Sequence, residues 1–553
     1  MDMELFEFAG LVKDEGVLAL YLTTGGQDAH TGRITMLELV ADGTDAVCIH
    51  RGRLPSPELA ILKDMLLKCR LLVLHDAQRI LAFLLALGIV PEAVFDLTLA
   101  AQILHFSVDA KDFDLQAIAR RCLGAEWSGD GGSEAKLMLR LCPLLTARLR
   151  ENGLMEVAEI EFGCLRATAG MEYRGIYLNQ EMWLRLEKEM QDQLDTAREK
   201  LYEFSGRPIF QLTLWGEEES LNINFSSNAY VLSLLQENGI PVKSTGKREL
   251  YPYRDHPLVA ALMAYRKYAK LISSFLQPIK GMIHPVTGRL HPHYGQLSAY
   301  SGRMSCWNPN IQQIPREHAF RACFTAPPGR LLLIADYSQI ELRVAAQISR
   351  DQRMLAAYQQ GEDLHALTAS ILTGKPVHQV TKEERQAAKP VNFGLIFGMG
   401  PRGLKESAEL TYGVEMTLDQ AGDFSRRFFA AYQGILQWHS WLKSHPEREG
   451  RTLAGRRFYY SPAALLPEVA NFPVQGTAAD IVKLALGRLA RRLDPETMIV
   501  AVIHDEILLE CPREQAESAA RILKETMEAA ADQILPLVPA SVEVKIAASW
   551  AGK

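Results

Sequence analysis

Three short segments hold residue types suited to phosphoryl chemistry. Leu331–Asp336 (LLLIAD) is an apolar run ending in a carboxylate, continued by Tyr337, Ser338 and a helical stretch, Gln339–Ser349. An Asp at the end of a buried strand projects from a rigid element and offers the hard oxygen that Mg²⁺ prefers. The same segment is equally readable as an Asp or Ser N-cap at a helix start. Thr497–Ile503 and Ile507–Cys511 are β-rich runs joined by His504-Asp505-Glu506, a hairpin with two acids at its tip. Acids at a tip are commonly solvated turn residues; a metal role needs a partner carboxylate, and Asp336 is the candidate. Two Asp residues from separate strands can bridge two Mg²⁺ about 3.5–4 Å apart, clamping the attacking and leaving oxygens of a phosphoryl transfer.

The third segment, Lys382–Gly400, reads KEERQAAKPVNFGLIFGMG. Arg385, Lys389, Phe393 and Phe397 recur every fourth residue, so on a helix each is turned only ~40° from the last. One side then offers two cations, which suit a triphosphate, and two rings, which suit a stacked base. An amphipathic helix with a basic end and an aromatic core edge accounts for the same pattern.

The surrounding elements must hold these groups. At one domain per ~100–200 residues, 553 residues imply roughly three to five domains. Residues 1–150 read as a compact α/β unit, with strands at Gly16–Leu22, Arg33–Val40 and Asp45–His50 and helices at Pro57–Cys69 and Ala77–Leu87. A polar, Gly-rich break at Ser128–Ser133 precedes more helix. About 151–290 is helix-dominated, including Glu181–Phe204, stopped by Ser205-Gly206 and Pro208. Strand-like and helical segments alternate from about 291 onward.

Composition sets the class. With 48% hydrophobic and 23% charged residues the chain is globular rather than disordered or collagenous. Its longest apolar stretch, Ile80–Val90, is shorter than the ~20 residues of a membrane span, and acids occupy the start where a secretory signal carries positive charge. Eight scattered cysteines without zinc spacing read as buried hydrophobes in a reducing compartment. A net charge of −6 argues against global attraction to nucleic acid, yet Lys243–Lys280 holds eight Lys/Arg against two acids.

Taken in order, the segments carry a resemblance. DYSQIELR at 336–343, RQAAKPVNFGLIFG at 385–398 and HDE at 504–506 resemble motifs A, B and C of family A (polymerase-I-like) DNA polymerases. SGRMSCWNPNIQQIP at 301–315, QGTAAD at 475–480 behind Asn471, and YRKYAKL at 265–271 are similar to further segments of that family, from about residue 155 to the end. The resemblance implies a multi-domain α/β fold: a right hand of palm, fingers and thumb, preceded by a ribonuclease-H-like, exonuclease-type α/β domain. By motif, 1–150 is a vestigial 3′–5′ exonuclease-like domain and 151–290 the thumb. The palm is 291–350 with 465–553, and the fingers are 351–464.

The resemblance also implies roles. Asp336, Asp505 and the Tyr337 carbonyl would hold two Mg²⁺, one activating the primer 3′-hydroxyl and one holding the triphosphate, with Glu506 beside them. Arg385, Lys389, His365 and Gln339 would contact the incoming nucleotide, Lys389 also acting as acid for pyrophosphate. Phe393 would stack on that nucleotide beside Phe397, and Glu341 would crowd the sugar 2′ position. Arg303, Asn310, Gln312, Asn471, Gln475 and His504 would contact DNA near the primer end, while Tyr268 and Lys270 grip duplex backbone. The implied activity is that of a DNA-directed DNA polymerase (a nucleotidyltransferase) in replication or repair, using primer–template DNA and deoxynucleoside triphosphates. The implied protein is a monomer, in a bacterial cytoplasm with the nucleoid or, if virus-encoded, in a host cytoplasm.

Three departures stand out. Phe397 occupies a position usually Tyr, Gln313 replaces an Asn, and Pro390 inside the fingers helix removes a backbone donor and should kink that helix or weaken its first turns. In the first 150 residues, Phe95–Ala100 and LHDAQRILAFL at 75–85 resemble exonuclease motifs, but Ile80 stands at a metal-binding Asp position and Asp76 replaces an Asn. No acid lies near Tyr21–Thr23, and the Tyr-Asp pair has no match around 126–136. Proofreading is therefore expected to be lost, and a 5′-nuclease domain to be missing ahead of residue 1. The rivals are a nuclease centred on the N-terminal unit, a DNA-binding scaffold on a dead polymerase, and a relative that copies or makes RNA. The absent carboxylates count against the first and the four residues Asp336, Asp505, Arg385 and Lys389 against the second. Glu341 argues for deoxyribose in the product and leaves an RNA template open.

Overall fold

The computed structural model describes residues 5–12, 16–50, 56–105, 112–124, 133–207, 223–446 and 448–553, and the backbone of 210–212 and 218–220. Most of the Gly-rich break at Ser128–Ser133, and Pro208, lie outside the described residues; Ser133 N-caps the Glu134–Glu151 helix by accepting from the Lys136 N–H.

The N-terminal unit is built on a five-stranded sheet. Its spatial order is Val47–Ile49, Arg33–Ala41, Val17–Gly25, Leu71–Leu74, Val94–Asp96. The first three strands pair antiparallel and the last two join in parallel. Helices cover it through buried Leu, Ile and Ala side chains, which form one core.

One helix, Met155–Arg174, packs on both this unit and the rest. Val157, Ala158, Leu165 and Ala169 join the N-terminal core, whereas Ile160, Cys164, Ala167 and Met171 join the large central core. At ~100° per residue these sets fall on two faces of one helix. Its second face lies against the Leu466–Arg492 helix, close enough at Gly487 that a Cβ there would stand 2.8 Å from the Gly163 carbonyl oxygen.

The central sheet has the order Met498–Ile503, Glu506–Pro512, Arg330–Tyr337, Val542–Ala547, all antiparallel. Its middle strands are apolar and buried on both faces, as helix-covered strands must be. Residues 201–262 gather a small core of their own, built around Phe225, Leu235 and Leu258, whereas 155–186 and 271–290 contribute to the central core. The expected thumb span of 151–290 thus contains a separately packed tip on stems that belong to the central body.

Between the second and third quarters of this body lie six helices running from Gln352 to Ser444. Their starts are written in the sequence: Asp351, Asp363, Thr381 and Thr417 each accept from the first-turn N–H groups, the two Thr residues within capping boxes closed by Glu384 and Gln420. The Lys382–Ile396 helix runs through Pro390 without interruption, its first turn secured by that box. It ends at Ile396, directly before the 397–400 stretch, because Gly398 takes φ +76° and Pro401 opens the next helix.

Candidate active site

The strand register brings the distant carboxylates together. Asp336, next to last in its strand, pairs across with Glu506, and Asp505 sits in the two-residue turn immediately before it. That turn requires His504 in the left-handed region, at φ +59°, a conformation non-glycine residues accept only when their surroundings enforce it. The Tyr337 N–H reaches the Asp505 carbonyl at 3.4 Å, and the Tyr337 hydroxyl donates to the Met527 carbonyl at 2.6 Å, fixing the strand end in the core. Asp505 is pushed up to about 7, first by burial and then by the charge of Asp336. A buried carboxylate set beside a second one forms a site that favours a cation.

A cationic group already demonstrates the fit. Lys553 Nζ donates to Asp336 and, at 2.5 Å, to Glu506. Among the described residues no three His, Cys, Asp or Glu side chains are spaced to hold an ion by themselves. A divalent cation on Asp336 and Asp505 therefore needs backbone, water or substrate oxygens to complete its shell, which is how Mg²⁺ is commonly held.

The nucleotide side is gathered by Asp363, which engages Gln339, a chain neighbour of Asp336, and Arg385. Its Oδ2 accepts from Arg385 Nη2 at 2.6 Å and from Gln339 Nε2 at 3.2 Å, and its Oδ1 caps the Leu364–Thr373 helix. Burial opposes the charge of Asp363, yet the Arg385 and Ala366 hydrogen bonds hold its carboxyl below the usual range. Arg385 and Gln339, both expected on the nucleotide, are thus engaged by an acid that the sequence reading passed over. Lys389 is half-buried one turn further on. The Phe393 ring tilts against His365, 5.8 Å between centroids, and Phe397 caps the helix rather than extending it. His365 is buried, bonds Asn392 at 2.9 Å and is pushed down to about 4 by desolvation. Without an anion beside it, burial favours the neutral imidazole.

On the DNA side, Arg303, Gln312, Glu341, His504 and Asp505 line one cavity of about 60 Å³. Arg303 and Glu341 are ion-paired to each other, and Gln312 donates to the Val502 carbonyl at 3.3 Å. Asn310 keeps a buried Oδ1 without a protein partner, Asn471 donates to the Tyr300 hydroxyl at 3.3 Å, and Gln475 is half-buried on the Leu466–Arg492 helix. Behind this wall lies a buried ion cluster: Arg456 pairs with Glu161 and with Asp480 at 2.6 Å, and Lys483 pairs with Glu161 at 2.6 Å. Its Arg456 crowds Gly302, where a Cβ would come within 2.7 Å of the guanidinium, so the cluster shapes the loop that presents Arg303. The Asp of QGTAAD is spent there, on structure.

The basic window differs most from expectation. Tyr268 packs on the central core beneath Lys267, and Lys270 is exposed on the same helix. Arg248 pairs with Glu406 (2.6 Å), Arg254 with Glu415, Lys267 with Glu317 (3.5 Å) and Lys280 with Glu187 (3.0 Å). Half of the eight cations are neutralised by acids far away in sequence, which a count over a window cannot see. The pairs to Glu406 and Glu415 reach from the 201–262 tip region to the helical 352–444 segment.

In the N-terminal unit Ile80 is a core residue, and Asp76, at φ +58°, pairs with Arg79 at 2.8 Å. Asp96 accepts from the Ala77 and Thr98 N–H groups, and burial raises it to about 6. Asp96 thus organises two helix starts, whereas the Asp76 carboxylate is engaged by Arg79.

Against known proteins, the family model described as DNA polymerase family A matches residues 180–552, two thirds of the chain. The chain belongs to DNA polymerase family A. It is 42% identical over 250 residues to DNA polymerase I of Aquifex aeolicus, covering 44% of this chain and 43% of that protein. To the thermostable DNA polymerase I of Thermus aquaticus it is 34% identical over 477 residues, covering 81% and 54% respectively. The chain spans about half the length of the curated relatives it matches. Among solved structures, the POL domain of Pol1 from M. smegmatis, in complex with DNA primer-template and dNTP, superposes with a TM-score of 0.83 at 26% identity, over 100% of this chain and 99% of that one. The palm, fingers and thumb expected of a family A polymerase are therefore the architecture of this chain. No helix among the described residues is long and apolar enough to cross a membrane.

Proposed function

We propose that this family A chain is a template-directed DNA polymerase that adds deoxynucleotides to a primer 3′ end and lacks proofreading. The observation that carries this reading is the convergence of Asp336 and Asp505 at one sheet end, with Gln339, a chain neighbour of Asp336, held through Asp363 to Arg385 on the Lys382–Ile396 helix. Two Mg²⁺ held by Asp336, Asp505 and the Tyr337 carbonyl would polarise the primer hydroxyl and balance the charge of the departing pyrophosphate. Arg385 and Lys389 bind the triphosphate, Lys389 offering the proton that pyrophosphate takes. Phe393 supplies the flat face for the base, and Glu341, fixed by Arg303, faces the sugar. Tyr268, Lys270, Gln475, Asn471, Asn310, Gln312 and His504 line the DNA path. The relative solved with DNA primer-template and dNTP supports that choice of partners.

We assign 1–150 to the vestigial exonuclease-like domain, 151–290 to the thumb, 291–350 and 465–553 to the palm, and 351–464 to the fingers. Loss of proofreading is supported by Ile80 in the core, by Asp76 paired with Arg79 and by Asp96 serving helix starts. Primer extension with four dNTPs, alongside a reaction without nucleotides, tests the whole reading. Asp505→Asn should abolish extension while duplex binding stays within about twofold of the parent. Persistent extension by that variant refutes the metal assignment, and primer degradation without nucleotides refutes the loss of proofreading.

A further inference from the structure

Four carboxylates crowd one end of the central sheet. Asp336 pairs with Glu506 on one side and Glu543 on the other, so the three form a row on one face, with Asp505 at the adjoining tip. A single ammonium contacts this row. Lys553 Nζ donates to Asp336 and to Glu506, and its charge also reaches Glu543 and Asp505. Its position is fixed by the residue three before it. Trp550 is fully buried, donates its indole N–H to Glu506 at 2.5 Å, and packs edge-on against Phe324 at 5.5 Å. The Arg321 guanidinium lies 4.3 Å from the Trp550 ring centroid and 3.6 Å from Glu506. Glu506 is thereby anchored from three sides, while Asp336 has Lys553 alone for a charged partner among the described residues.

We propose that Lys553 is the resident counter-cation of the metal-binding carboxylates. In the metal-free protein it neutralises Asp336; when a divalent cation takes Asp336, the ammonium withdraws to Glu506, whose other contacts stay in place. A compact point charge on a flexible stem suits such an exchange better than a planar guanidinium. Lys553 is a positioning residue and touches no reacting atom. The inference rests on the metal-binding reading of Asp336 and Asp505.

The test is Mn²⁺ binding to the full chain without DNA, followed by electron paramagnetic resonance at pH 8, for the parent, Lys553→Met, Lys553→Gln and Lys553→Arg. Removing a charge-assisted competitor should tighten Mn²⁺ binding about five- to tenfold in the Met and Gln variants, and leave the Arg variant within about twofold of the parent. The same two variants should melt lower than the parent without metal and gain more on adding Mn²⁺. Unchanged or weaker Mn²⁺ binding in folded Met and Gln variants overturns the proposal. Primer extension by the parent at saturating Mg²⁺ separates the two readings. Its absence refutes the polymerase assignment; its presence with untightened Mn²⁺ binding refutes only the role of Lys553.

Discussion

Lowering the pH should strip divalent cations from Asp336 and Asp505 well above the range in which ordinary carboxylates release them. Asp505 stands at about 7 against an ordinary 3.8, raised by burial first and by the Asp336 charge second. A cation needs the ionised form, so apparent affinity should be level above pH 8 and fall about tenfold per unit below 7, reaching about one-hundredth at pH 5. With an ordinary carboxyl it would be nearly flat over that interval. Stability runs the opposite way. The folded state holds this proton more tightly than the unfolded chain, so the metal-free protein loses stability as pH rises from about 4 to about 7, and the loss is complete above that window. Mn²⁺ titrations of DNA-free protein at half-unit steps from pH 5 to 8 read the first effect and thermal melts without metal read the second. Asp336→Asn removes the neighbouring charge and should move the Asp505 midpoint downward. A flat affinity profile, or a midpoint unmoved by that substitution, would refute the coupling of the two carboxylates.

Two further outcomes follow from contacts around the site. Arg456→Met leaves Glu161 paired with Lys483 and Asp480 without its ion-pair partner in a buried cluster, and stripping one partner from such a cluster costs about 3–5 kcal/mol; a melting temperature unchanged within about 1 °C would remove the cluster from the stability account. Glu341→Ala frees Arg303 and opens the sugar side of the cleft, so ribonucleotide incorporation should rise relative to deoxyribonucleotide in single-nucleotide extension; undiminished rejection would end the role given to Glu341.

Local chemistry was readable where chain neighbours decide it. The apolar run before Asp336, the β-rich runs flanking Asp505 and the Thr and Asp caps of the helical segment all lie within a few residues of the feature they specify. The every-fourth spacing that runs to Phe397 does not extend the Lys382–Ile396 helix, because the left-handed backbone of Gly398 stops it. The basic window misled for a different reason. Its charges meet Glu406, Glu415, Glu317 and Glu187, partners that only the folded arrangement supplies. Lys553 escaped notice likewise, since nothing near it in sequence hints at Asp336, more than two hundred positions earlier. Glu543 did leave a trace, because the alternation of VEVKIA places it and Lys545 on one side of a strand.

The two-faced Met155–Arg174 helix has an evolutionary reading. On the proposed loss of proofreading the N-terminal unit would be free to erode, yet its apolar side chains line one flank of a strut whose other flank packs on the central core. Excising residues 1–150 would leave Val157, Ala158, Leu165 and Ala169 wet, an oily stripe inviting self-association. Whatever chemistry the unit carries, its lining keeps that strut dry.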